Sequence, residues 1–163
     1  MQATRERLVR WEDPAALVAV VSTLSGIDAL RTLVAGETAP PPIAQLLNFR
    51  LVEVDDGRAV FEGEPGEEHY NPGGVVHGGF ALTLLDSAMG CAVQTLLPAG
   101  VRYTTTDVQG RLIRGMTKDT GPVRCEGTVL HVGRSTAVAE GKLFDCERRL
   151  LAVGTTACAI LRG

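Results

Sequence analysis

Asp86 is the only charged residue in a long, mostly apolar segment, residues 78–97, which the sequence predicts to be a helix. A helix that is apolar nearly all round is buried, and a lone carboxylate there is unfavourable unless it is paired or used. At about 100° per residue, the small and polar positions form one stripe about 100° wide. Its members are Thr83, Asp86, Ser87, Gly90 and Gln94. The stripe is either a functional site or a solvent-exposed face, and the helix alone does not distinguish between these two.

The loop before this helix favours chemistry. Gly78 and Gly79 stand at the predicted N-terminus, where first-turn N–H groups lack intrahelical acceptors and the macrodipole adds partial positive charge. Glycine also lets a ligand approach the backbone closely. Such N–H groups can stabilise the oxyanion of an acyl transfer. We expect a ligand held there to present its carbonyl near Asp86, two turns further on; the alternative for both glycines is tight packing.

The elements that must position these residues follow from periodicity and turn signals. Asp13-Pro14 predicts the start of an N-terminal helix that ends at Gly36, with Gly26 in mid-pattern as a point of kinking or splitting. A short helical turn is expected over residues 43–47. Strands are predicted over residues 48–55, 58–64, 101–114, 121–132, 135–145 and 149–161.

This order of elements predicts the fold class. A helix, two strands, a long apolar helix and four strands joined by short breaks indicate an α+β fold, with a curved antiparallel sheet wrapped around the long helix. Residues 1–40 form an N-terminal helical extension in this interpretation, and residues 41–163 form the main domain.

Composition excludes several classes of protein. The 163 residues carry a net charge of −3, without the clustered basic excess that binds nucleic acid. No segment is long and apolar enough to span a bilayer, and residues 15–24 have acidic flanks that do not suit a signal peptide. The four cysteines include no CxxC pair, which favours buried free thiols in a reducing cytoplasm. Neither a metal-ligand cluster nor a GxSxG elbow is present.

Two motifs together resemble a known family. They are His69-x-Asn71-x-x-Gly74-x-x-His77-Gly78-Gly79 and Leu84-Leu85-Asp86-Ser87-Ala88. With the flanking segments from Pro41 to Phe49 and from Tyr103 to Thr106, they are similar to the hotdog-fold acyl-CoA thioesterases of the phenylacetate-degradation (PaaI-like) type. The resemblance covers about residues 41–161. It implies the hotdog fold and hydrolysis of an acyl-CoA, aromatic or medium-chain, to a free acid and coenzyme A.

The resemblance also implies roles for individual residues. Asp86 resembles the catalytic carboxylate, acting as general base or nucleophile, and the Gly78 N–H resembles the oxyanion donor. Asn71 resembles the residue that helps to hold the attacking water, and His77 the histidine beside the oxyanion donor. Thr104 or Thr105 matches the region that supplies a hydroxyl from a neighbouring subunit. The sequence does not choose between these two threonines.

Further implications concern substrate binding and assembly. The resemblance assigns coenzyme A binding to Gly79, Arg114, Gly133, Arg134 and Ser135; the arginine fork suits phosphate. No cofactor or metal is expected besides the coenzyme A of the substrate. We expect a cytoplasmic homodimer that assembles into a homotetramer, because a curved sheet with open edges gains by pairing with a copy.

One part of the chain departs from the family. Gly110 and Arg111 interrupt a predicted strand, where glycine can mark a bulge and an inward arginine would need a partner. Two other hypotheses stand beside hydrolysis. The chain could be a hotdog hydratase or dehydratase acting on acyl thioesters, or a non-catalytic acyl-CoA sensor; the pair of Asn71 and Asp86 argues against the sensor.

Overall fold

The computed structural model describes residues 4–162. Its helices are α1 (Pro14–Thr23), α2 (Gly26–Val34), α3 (Pro42–Leu46) and α4 (Gly78–Thr95). Its strands are β1 (Phe49–Asp55), β2 (Arg58–Gly63), β3 (Val101–Leu112), β4 (Val123–Val132), β5 (Thr136–Phe144) and β6 (Leu150–Arg162). Short 3₁₀ turns at Glu67–His69 and Lys118–Thr120 lie in segments that the sequence predicts to be loops.

The six strands form one antiparallel sheet in the order β1-β2-β4-β5-β6-β3. The helix α4 contacts all six strands, and its Leu84, Leu85 and Met89 side chains are fully buried. The predicted α+β architecture, a curved sheet around one long helix with additional N-terminal helix, is therefore confirmed. The order leaves β1 and β3 as the two edge strands.

The N-terminal helical segment is split in two, at the point where the sequence allowed a break. Ser25 caps α2 by accepting a hydrogen bond from the Asp28 N–H at 3.3 Å. Gly26 packs on the C-terminal end of α4, where a Cβ would overlap the Gln94 carbonyl, and its N–H donates to Leu97 O at 2.9 Å. The break therefore lets α2 cross the end of the central helix.

A row of four glycines lets α4 approach the sheet. Gly110, Gly154, Gly141 and Gly127 stand directly opposite one another on β3, β6, β5 and β4. A Cβ on Gly127 would overlap the Ala88 backbone, and Cβ atoms on the other three would press on side chains of the same helix. The glycine row thus forms the part of the sheet surface that contacts α4.

This arrangement corrects two expectations about β3. Gly110 is not a bulge: the strand pairs with β6 through it, and the shift in register falls at Thr106. Arg111 does not point inward but is exposed on the outer face, so it needs no buried partner. Gly110 belongs instead to the glycine row that faces α4.

We expect Gly127→Ala to lower the free energy of unfolding by about 1–3 kcal/mol, because the new methyl group would meet backbone that cannot rotate away. Urea unfolding of the purified variant measures the change. Gly115→Ala is the matched control, since a Cβ there meets nothing within 4 Å. Equal stability of Gly127→Ala and the wild type would contradict this account of the packing.

Candidate active site

The carboxylate of Asp86 is half-buried and is held by Thr105. The Thr105 hydroxyl donates a hydrogen bond to Asp86 Oδ1 at 2.9 Å. Thr104 is exposed on the opposite face of β3, as strand alternation requires. Of the two threonines that the sequence left open, Thr105 is therefore the one beside the carboxylate. It reaches Asp86 within one chain, whereas the resemblance implies a hydroxyl from a neighbouring subunit.

The edge strand β3 runs antiparallel to α4, and the contacts between these two elements determine where each site residue lies along the helix. Contacts follow the helix from its C-terminal end to its N-terminus: Tyr103 lies on Gly90, Thr105 on Asp86, the Gly110 position under Leu82, and Leu112 on Gly78. Every one of these contacts lies next to the unpaired edge of β3. Of the polar stripe, Asp86 and Gly90 therefore lie beside this edge, whereas Gln94 is buried and packs against Gly26 of α2.

Tyr103 is a site residue that the sequence analysis missed. A Cβ on Gly90 would overlap the Tyr103 hydroxyl, so this hydroxyl occupies the place of a residue-90 side chain. Side chains four residues apart on a helix are neighbours, with Cβ atoms about 5–6 Å apart, so the hydroxyl lies one turn from Asp86. The signal was the alternation of β3, which places Tyr103 on the same face as Thr105.

Burial keeps the groups around Asp86 in their neutral forms. Desolvation raises the pKa of the Cys91 thiol to about 12, and the charge of Asp86 adds to that rise. Burial likewise raises the pKa of Tyr103 well above its usual value, with smaller contributions from Cys91, Cys158 and Asp86. Neither group can therefore supply an anionic nucleophile near neutral pH.

A second group of predicted residues lies at the N-terminus of α4. His77 is the N-cap, and its Nδ1 accepts a hydrogen bond from the Gly79 N–H at 2.9 Å. The Phe80 N–H donates to the His77 carbonyl at 3.0 Å. No residue among those described, 4–162, accepts a hydrogen bond from the Gly78 N–H. The Gly78 N–H is therefore the donor of this helix end that remains available to a ligand.

Asn71 lies in a narrow loop that is folded back onto this helix end. The loop is closed by a hydrogen bond from the His77 N–H to the His69 carbonyl at 2.8 Å. Asn71 Oδ1 accepts from the Gly73 N–H at 2.8 Å, which fixes the side chain in a turn. Its amide NH₂ group makes no hydrogen bond to a residue in the described part of the chain. We call Asn71, His77, Gly78 and Gly79 the amide cluster.

Within one chain, the amide cluster and the carboxylate are well separated along α4. Gly78 and Asp86 are eight residues apart on α4, which corresponds to a rise of about 12 Å. A carbonyl that accepts a hydrogen bond at about 3 Å and is attacked at about 3 Å covers only part of this distance. The helical rise therefore favours a site in which the two groups come from different helices.

The residues predicted to bind coenzyme A lie at two opposite ends of β3. Gly133, Arg134 and Ser135 form the hairpin between β4 and β5, and the Ser135 carbonyl accepts from the Ile160 N–H beside the start of β3. Arg114 follows the other end of β3, near Gly78. Both arginines are exposed. One chain does not bring them together.

The remaining sequence-based expectations concern thiols, metals and membranes. All four cysteines are free, with Cys125 and Cys158 buried, Cys91 partly buried and Cys146 exposed, so the expectation of burial is wrong for Cys146. Within residues 4–162, no group of three or more His, Cys, Asp or Glu side chains is arranged to hold a metal ion. None of the helices in that range is long and apolar enough to cross a membrane.

Comparison with known proteins gives a consistent result. The family model described as "Thioesterase superfamily" matches residues 73–152. A protein of Saccharolobus solfataricus that carries a provisional esterase name is 32% identical over 120 residues, which are 74% of this chain and 84% of that protein. The 1,4-dihydroxy-2-naphthoyl-CoA hydrolase of Listeria monocytogenes is 26% identical over 119 residues, covering 72% of this chain and 94% of the relative.

A solved structure extends the similarity to three dimensions. A mutant of the phenylacetic acid degradation protein PaaI from Thermus thermophilus aligns with a TM-score of 0.66 and 25% identity. The alignment covers 73% of this chain and 98% of the other.

Proposed function

The chain belongs to the thioesterase superfamily, and from this premise we propose that it hydrolyses an acyl-CoA to a free acid and coenzyme A. The observation that carries the proposal is the half-buried Asp86 carboxylate, oriented by Thr105 beside an open sheet edge. A relative that bears the name of a naphthoyl-CoA hydrolase supports the choice of a coenzyme A ester. The four free thiols suit the reducing cytoplasm, which is where we place the enzyme.

We propose a mechanism that needs one base and one oxyanion donor. Asp86 accepts a proton from water as the water oxygen attacks the thioester carbon. The carbonyl oxygen becomes an oxyanion that accepts a hydrogen bond from the Gly78 N–H. The C–S bond then breaks, and the coenzyme A thiolate takes up the proton. In the alternative route, Asp86 attacks the carbon itself and water hydrolyses the resulting anhydride.

The separation within one helix implies that two copies build each site. Because β3 is a twelve-residue edge strand with one unpaired side, two copies can pair through it about a two-fold axis. An axis near Val108 would set Thr105 of one copy opposite Arg111 of the other. Since Leu112 lies on Gly78, Asp86 of one copy would then face Gly78 of the second copy.

The same pairing would unite the two coenzyme A regions. The Arg134 hairpin lies at the β3 end that holds Tyr103, and antiparallel pairing brings that end to the Arg114 end of the second copy. Two arginine side chains would then border a ligand held at Gly78 and can receive its phosphates. We therefore propose a homodimer as the catalytic unit, and a dimer of such dimers as the homotetramer.

Thiol release from a panel of aromatic and aliphatic acyl-CoAs tests the proposed reaction. A thiol-reactive dye should report steady release of coenzyme A with wild-type protein and no release from a thioether analogue. Tight binding of acyl-CoA without any turnover would instead support the non-catalytic sensor.

The two threonines provide an internally matched test of the site. We expect Thr105→Val to lower kcat about 10- to 100-fold, because the hydrogen bond to the Asp86 carboxylate is lost while the side-chain volume is kept. Thr104→Val should stay within about twofold of the wild type, since Thr104 lies exposed on the other face. Steady-state kinetics on one acyl-CoA compares them. Equal losses in both variants would show that the Thr105 contact has no part in turnover.

A further inference from the structure

A cleft of ≈ 680 Å³ separates the N-terminal extension from the sheet. Its outer wall is the end of α2 and the segment that follows it, residues 33–41. Its inner wall consists of β1 and Phe61, and Cys91 of α4 forms its floor. We call this space the extension cleft. Most of its outer wall lies in residues 1–40, which are outside the segment that the family model matches.

The size and lining of the extension cleft suit an apolar small molecule. Binding sites for such ligands usually measure about 300–1,000 Å³ and are lined mainly by apolar side chains. The walls here present Leu33, Val34, Leu51, Val52 and Phe61. Val34 is 41% exposed, so this wall presents uncovered apolar surface.

The backbone of β1 carries a bulge where it forms the wall of the extension cleft. The register between β1 and β2 shifts between Leu51 and Glu53, which makes Val52 a bulge residue. Bulges re-aim side chains and are frequent beside functional sites. The bulge lies in the wall of the extension cleft, opposite the extension.

The floor of the extension cleft lies on the same helix as Asp86. Cys91 lies about 140° around α4 from Asp86, with Ser87 between them at about 100°. The two residues are five positions apart, a rise of about 7.5 Å along α4. The Tyr103 hydroxyl lies over Gly90, on the same stretch of the helix, and has no hydrogen-bond partner within residues 4–162. A medium-length acyl chain is long enough to run from Asp86 across the helix surface at the half-buried Ser87 to Cys91.

We propose that the acyl group of the substrate lies in the extension cleft, so that the N-terminal extension sets the length of acyl chain that the enzyme accepts. This inference rests on the proposed thioesterase function and names its substrate class, an unbranched, apolar, medium-length acyl chain. Charged side chains of both signs, Glu12, Glu37 and Arg50, stand in the same lining, and Arg50 is paired with Glu62.

Two variants that fill the cleft test the proposal, each with a matched control outside it. Val34→Trp narrows the outer wall, and Val18→Trp places the same bulk on an exposed position of α1. Cys91→Phe fills the floor, and Cys146→Phe makes the same change in an exposed turn. The ratio of kcat/KM for octanoyl-CoA to that for acetyl-CoA is measured in all four. We expect this ratio to fall at least about tenfold in the two cleft variants and to stay unchanged in the controls.

A binding measurement tests the role of the cleft independently of hydrolysis. In the wild type, the thioether S-octyl-CoA should bind more tightly than S-ethyl-CoA. Val34→Trp should lower the ratio of these two affinities at least about tenfold. If Val34→Trp and Val18→Trp show the same preference, the extension does not bind the acyl chain. That result would leave thioester hydrolysis by the wild type untouched. Absence of any hydrolysis with a normal S-octyl preference would overturn the proposed function and leave the cleft assignment standing.

Discussion

Asp86→Asn is expected to lower kcat for thioester hydrolysis by about 10²–10⁴-fold. Asparagine keeps the size of the side chain, and its amide oxygen can still accept the Thr105 hydrogen bond. It cannot accept a proton from water, so the loss reports the base and not the packing. Thiol release with a good acyl-CoA substrate measures the effect, and thermal unfolding checks that the variant is folded.

The control for this substitution is Asp107→Asn on the same strand as Thr105. Asp107 is exposed and makes no side-chain contact with the site, so its variant should keep the wild-type rate. A folded Asp86→Asn protein that hydrolyses acyl-CoA as fast as Asp107→Asn would remove Asp86 from the mechanism. The hydratase or dehydratase hypothesis would then be tested with an α,β-unsaturated acyl-CoA.

Gly78→Pro should produce the second large effect, a loss of about 10²–10³-fold in kcat. Gly78 is the first residue of α4, a position where proline is well tolerated, and His77 before it has the extended backbone that proline favours. The Gly78 N–H has no acceptor within residues 4–162, so its removal breaks no hydrogen bond there. Proline therefore deletes the proposed oxyanion donor with little change in the helix.

Gly78→Ala separates the donor from the added bulk. Both substitutions place a Cβ against the Leu112 side chain, which is 55% exposed and free to move. Only proline also removes the N–H. We expect alanine to cost less than about tenfold in kcat, and equal losses in the two variants would show that crowding by Leu112, and not the lost N–H, explains the effect.

The sequence was sufficient to predict the order of elements and most of their bounds. Strands such as β5 (Thr136–Phe144) alternate cleanly between buried and exposed positions, and the turn that contains Gly133 marks where β5 begins. The central helix was equally clear, because a run of apolar residues at helical spacing ends at Pro98. These are local signals, which a single sequence carries in full.

Features that depend on packing between elements could not be predicted in this way. Gly110 looked like an interruption of β3 because its partners Gly154 and Gly141 lie far away in the chain and meet it only in the folded sheet. The choice of Thr105 over Thr104 needed the phase of β3 relative to α4. The separation of Gly78 and Asp86, by contrast, followed from the helical rise alone and could have been recognised from the sequence.

Mixing the two inactive variants tests the central claim, that Asp86 of one copy and Gly78 of another form one thioesterase site. Asp86→Asn and Gly78→Pro proteins are unfolded together in urea and refolded, and thiol release is compared with that of each variant refolded alone. Random pairing makes half of the dimers mixed, and each mixed dimer has one intact site, so activity should recover to about a quarter of the wild-type rate. Refolded mixtures that contain both chains in one dimer yet stay as inactive as their components would contradict the shared site.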